Sequence, residues 1–85
     1  MEQNDQLFLQ LLYVFHSSAM QAMGRVDNPA TGKREKKLEQ AKQSIEMLEM
    51  IREKTTGNIS EQLLDLLNKF ILGLKSTYLD ETTKN

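Results

Sequence analysis

The sequence predicts an all-α fold: three helices joined by short turns, a helical bundle completed by self-association. Three observations predict it. Apolar residues recur at steps of three and four in three separate segments, which is the spacing of one helix face. Turn-forming residues gather between those segments, at Asp27-Asn28-Pro29-Ala30-Thr31-Gly32 and at Thr55-Thr56-Gly57-Asn58. Finally, 85 residues allow one domain with a modest core. With no cysteine and a single histidine, disulfides and Cys/His zinc sites cannot reinforce it, and oligomerisation is the device that remains.

Helix one is expected over about residues 5–23. Asn4 or Asp5 can serve as N-cap, and acidic residues there suit the helix dipole. Gly24 is the expected stop. Phe8, Leu12, Phe15, Ala19 and Ala22 follow alternating steps of four and three, and Leu7, Leu9, Leu11, Tyr13, Val14, Met20 and Met23 widen the stripe. Gln6, Gln10, Ser17 and Gln21 leave only a narrow polar strip, and no Asp, Glu, Lys or Arg occurs between Gln6 and Gly24. A helix that is apolar nearly all round is a buried helix. Two short helices cannot cover that much surface, so a second copy is expected to. The segment Val26 to Gly32 follows as a loop, because Pro29 holds Asn28 out of the helical region.

Helix two is expected over about 35–55, with Leu38, Ala41, Ile45 and Leu48 as its stripe and Ile51 at the flank. Met47 and Met50 fall off that stripe. Methionine is an adaptable contact residue, so the pair marks a second surface, either a subunit interface or a partner groove. The candidate interface is therefore Leu7, Phe8, Leu11, Leu12, Phe15, Met20, Met23, Met47 and Met50.

Helix three is expected over about 61–79, on the seam Leu63, Leu67, Phe70, Leu74 and Tyr78. Leu72 and Leu79 point elsewhere. Gly73 disfavours a helix interior, which suggests a close helix contact there. Residues 80–85 are expected to be a frayed polar tail. Between helices two and three, Lys54-Thr55-Thr56-Gly57-Asn58-Ile59-Ser60 is accounted for as a structural turn. Gly57 suits a left-handed residue closing helix two. Ser60 suits an N-cap, with Asn58 as a rival, and Ile59 and Leu64 have hydrophobic-staple spacing.

Few residues suggest chemistry. Thr31-Gly32-Lys33 lacks the first glycine of a phosphate-binding loop, since position 27 is Asp, and Arg34 stands where Ser or Thr is required. His16 beside Ser17 and Ser18 does not make a catalytic pair, because neighbouring helix residues point apart. Glu46, Glu49 and Glu53 lack the Glu-x-x-His companion of bundle metal sites. No nucleophile with its base, cofactor loop or metal set can be assembled, so neither enzyme activity nor a cofactor is expected. The net charge of −1 gives no general attraction to nucleic acid or anionic membrane. Lys33-Arg34-Glu35-Lys36-Lys37 is the one basic cluster. It is expected to be a solvated loop end, dispensable for folding, and it carries the alternative reading: a weak nucleic-acid-associated protein. The apolar helix after Gly57 is poorly suited to reading a DNA groove. The N-terminus lacks a basic signal-type region and the longest apolar run, Leu11 to Phe15, is far too short to span a bilayer. A cytoplasmic location without membrane contact is expected.

Four stretches carry a family resemblance: Ser18 to Gly24, Asn28 to Gly32, Ala41 to Leu48 and Glu53 to Ser60. Over about Phe8 to Leu79 the chain resembles the bacterial family called domain of unknown function 1844, with Glu53-Lys54-Thr55-Thr56-Gly57-Asn58 the most specific part. It departs from the pattern after Ser60 and again at Gly73-Leu74-Lys75. The resemblance implies a small, helical, cytoplasmic bacterial protein and supplies no activity. Together these readings point to a non-catalytic interaction or regulatory module acting with itself, as a homodimer, and with room for an unidentified protein partner.

Overall fold

The chain's apolar periodicity is realised as three helices. A computed structural model describes residues 2–83, which form α1 (Gln3–Ala22), α2 (Leu38–Thr55) and α3 (Glu61–Thr82) with no strand among the described residues. Successive helices run antiparallel. The Lys37 amide donates to the Ala22 carbonyl at 2.6 Å, so α2 begins where α1 ends.

α1 opens at Gln3, two residues before the expected start. Its N-cap, Glu2, makes no side-chain capping bond, and Asp5 lies in the first turn, where a carboxylate favours the positive helix end. The helix closes as its glycine suggests. Gly24 has φ +74, its amide donates to the Gln21 carbonyl and the Arg25 amide donates to the Met20 carbonyl, both at 3.0 Å. These are the two bonds of a Schellman motif.

The α1–α2 connection is a pinned hairpin. Antiparallel bridges join Met23 to Lys36 and Asn28 to Lys33. Its tip is held by Asn28, whose backbone oxygen accepts from Gly32 at 2.7 Å and whose Oδ1 accepts from the Ala30 amide at 2.9 Å. Gly32, at φ +71, returns the chain. Helix two therefore starts at Leu38, three residues later than expected from Glu35. Residues 35–37 belong to the returning arm, which also keeps Lys36 and Lys37 out of a helix first turn, where their charge opposes the dipole.

α2 ends at Thr55. The Asn58 amide donates to the Thr55 carbonyl at 2.8 Å, Thr56 sits at φ −56, ψ 126 and Gly57 at φ +90. That is a type II turn with glycine at its third position. Gly57 is left-handed in φ, but in a turn following the helix rather than in a C-terminal cap. Ser60 then caps α3, its Oγ accepting from the Leu63 amide at 3.2 Å.

α3 continues to Thr82, so the expected frayed tail is wrong as far as residue 83; positions 84 and 85 lie outside the described residues. Glu81 is buried, 4% exposed. Its carboxylate meets Arg25 at 2.7 Å and Lys36 at 2.8 Å, and Asp80 adds a second pair to Arg25 at 2.9 Å. The hairpin is thus clamped to the last turn of α3. Lys36, expected in a solvated and dispensable segment, is half-exposed and paired with a buried carboxylate.

The core lies between the three helices: Leu12, Ala19 and Ala22 from α1 with Met23 just beyond it, Ala41, Ile45, Leu48 and Ile51 from α2, and Leu67, Ile71 and Leu74 from α3. Small residues line the α1–α2 seam, where Ser18 Oγ and the buried Ser44 Oγ lie 3.1 Å apart. α3 docks on another flank of α2, through Arg52 to Asn68 at 3.0 Å and Lys75 to Glu49 at 2.7 Å. Gly73 meets no close neighbour: a Cβ there has no heavy atom within 4 Å. The expected close helix contact does not exist among the described residues.

Candidate interaction surface

The predicted interface residues divide into three groups once the chain is folded. Leu12 and Met23 are fully buried in the chain's own core, so they are corrected out of the interface set. They lie on the stripe centred on Leu12 and Ala19, which the chain covers by itself. Phe8, Phe15 and Met20 are partly buried and pack against that core. Leu7, Leu11, Met47 and Met50 remain open, at 54%, 42%, 41% and 41% exposure. Val14, 61% exposed, joins them and was missing from the predicted set. Its signal was available in the spacing: it lies seven residues after Leu7 and three after Leu11.

Leu7, Leu11, Val14, Ser18 and Gln21 advance by alternating steps of four and three, one continuous stripe along α1. Gln40, Ser44, Met47 and Ile51 do the same on α2. The Ser18–Ser44 contact joins the two stripes, and Ser18, Gln21 and Gln40 share a cleft at one end. The antiparallel order then carries Val14 to the level of Met47 and Leu11 to the level of Ile51. This face of the α1–α2 pair lies away from the flank that α3 occupies. It is apolar in the middle, rimmed by amides and hydroxyls, and free of charge on α1.

Met50 does not share it. It lines an open groove over α2 and α3 with Glu46, Glu49, Glu53, Arg52, Leu64 and Asn68, a polar and partly ion-paired surface. Of the two methionines, taken together as one surface from the sequence, Met50 lines this groove and Met47 lies beside the α1 stripe. The exposed Leu72 and Leu79 lie on the outer side of α3, seven residues apart and set among polar neighbours.

His16 has an aromatic environment. Its ring centroid lies 4.6 Å from that of Phe70, which also meets Tyr13 at 5.3 Å. Partial burial disfavours the charged imidazolium and lowers the pKa of His16 from its ordinary value. No cluster of three or more His, Cys, Asp or Glu among the described residues could hold a metal ion, and no helix among them is long and apolar enough to cross a membrane.

The turn at 54–60 spends its hydroxyls internally. Thr55 Oγ1 donates to the Ile51 carbonyl and Thr56 Oγ1 to the Arg52 carbonyl, both at 2.6 Å, so both hydroxyls are used within the last turn of α2. The basic segment is also largely occupied. Arg34 pairs with Asp27 at 3.1 Å, Lys36 with Glu81, and Lys37 with Glu35 at 3.5 Å.

A three-helix unit with a clamped hairpin and one open face, free of charge along its α1 side, is what the folded chain presents. The family model described as Domain of unknown function (DUF1844) matches residues 6–80, and the chain belongs to that family. No curated protein and no solved structure matches it.

Proposed function

We propose that this chain is a non-catalytic helical interaction module that acts in the cytoplasm as a homo-oligomer, a dimer in its simplest form. One observation carries the reading: α1 exposes Leu7, Leu11 and Val14 in a segment with no charged Asp, Glu, Lys or Arg side chain from Gln6 to Gly24. Apolar patches of this kind, rimmed by polar residues, mark interaction sites. The pairing of Arg34, Lys36 and Lys37 with acidic neighbours supports a protein partner over a nucleic acid, because phosphate binding would have to displace those carboxylates.

Light scattering after size exclusion, at micromolar concentration, is expected to give at least twice the chain mass of 9.8 kDa. A clean monomer defeats the reading. A titration with mixed DNA and RNA is expected to show no salt-dependent binding; tight, salt-sensitive binding lost on Lys33→Ser would favour the nucleic-acid alternative.

A further inference from the structure

We propose that two copies meet across a two-fold axis passing Leu11, with α1 antiparallel to the partner's α1 and Leu7 of each copy against Val14 of the other. The two α1–α2 pairs then form a four-helix layer, and α3 stays on the outside of each copy. This rests on the self-association reading and adds the face, the orientation and the register.

The occupant follows from charge. A two-fold axis sets a surface against its own copy, so any strongly charged stripe is set against like charge. The α1 stripe of Leu7, Leu11, Val14, Ser18 and Gln21 has no such charge to oppose. Antiparallel α1 helices also oppose their macrodipoles, whereas parallel ones align them.

The register follows from where the apolar part lies. Leu7, Leu11 and Val14 occupy the N-terminal half of the stripe, while Ser18 and Gln21 complete it with polar groups. An axis at Leu11 buries all three apolar residues against their counterparts. An axis shifted one turn toward Ser18 sets Leu11 against polar side chains and leaves Leu7 uncovered. Met47, at the level of Val14 on α2, adds apolar surface beside the seam.

The area is adequate. Leu7, Leu11, Val14 and Met47 each leave on the order of 100 Å² open, a patch of roughly 400 Å², within the range of the largest patches a monomer exposes. Two such patches with their glutamine and serine rims reach roughly 1,200 Å², where specific interfaces begin.

The absence of native cysteine makes disulfide trapping a direct test. Leu11→Cys, oxidised mildly at micromolar concentration, is expected to form a self-linked dimer about tenfold faster or more than Leu72→Cys on the outer side of α3, because the interface raises the effective thiol concentration. Leu7→Cys and Val14→Cys each lie too far from their own symmetry mates for a disulfide. They should link poorly alone and readily when the two variants are mixed. All four positions are exposed, and circular dichroism is expected to show native helix content in each variant. Light scattering on the unaltered chain separates the two levels. A monomeric mass overturns self-association and the geometry together. A dimeric mass with fast linking at Leu72→Cys, or with Leu7→Cys linking to itself, overturns the geometry and leaves self-association standing.

Discussion

Single residues set the turn between α2 and α3 and a pH-sensitive contact on α1. Gly57 has φ +90 and open space where a Cβ would stand, so the cost of a side chain there is a backbone cost alone. Gly57→Ala is expected to lose about 1–2 kcal/mol, several degrees in thermal midpoint for a domain this small. Gly57→Val should lose more and Gly57→Asn least, since asparagine is accepted at the third position of a type II turn. Ser60→Ala should cost about 1 kcal/mol through the lost bond to the Leu63 amide. Equal stability in the three Gly57 variants would contradict the turn. For His16, the folded chain holds its proton less tightly than the unfolded chain, because burial against Phe70 lowers the pKa. Stability is then full above the ordinary value of 6.5 and declines as pH falls below it toward the folded-state value. His16 is the only histidine, and comparing denaturant unfolding at pH 7.5 and 5.5 with that of a His16 variant isolates its share. His16→Gln should flatten that slope, and an unchanged slope would refute the assignment.

At the scale of elements, the hairpin and α3 act as one unit through Glu81. Lys36→Ser removes a charge-assisted contact from a buried carboxylate and is expected to cost about 1–2 kcal/mol. Lys33→Ser is expected to stay within about 0.5 kcal/mol, as surface changes do. Chemical denaturation of the two variants, three residues apart, tests whether the clamp or merely the local charge matters; equal midpoints would dismiss the clamp. Gly73 offers the opposite case. It sits in the interior of α3 with no neighbour within 4 Å of a Cβ, so Gly73→Ala should stabilise by about 0.5–1 kcal/mol through helix propensity. A loss of stability would place Gly73 against another copy, on a face of α3 that the two-fold arrangement leaves outside.

At the scale of the whole molecule, the stripe on α1 makes assembly the property to test. Val14→Lys places a charge where each copy would meet the other, at a position already 61% exposed. The expected outcome is a folded monomer: native helical circular dichroism with the mass halved in light scattering. Loss of helix would show that Val14 supports the fold of the single chain. Retention of the full mass would move the interface away from α1.

The helices were legible in the sequence because their signals are local. Steps of three and four, Gly24, Pro29, Gly57 and Ser60 act within a few residues, and the three segments fold close to where periodicity places them. The turn at Gly57 was legible for the same reason, although its detailed form depended on the ψ of Thr56, which no residue type dictates. Glu81 could not be foreseen: it looks like tail, and its meaning comes from Arg25 and Lys36, more than forty residues earlier, brought beside it by the up-down-up path. The division of helix one into a covered and an open face was likewise a tertiary decision. Composition shows only that α1 is apolar nearly all round; which side α2 and α3 take, burying Leu12 and leaving Leu7, Leu11 and Val14, is settled by packing among helices distant in sequence.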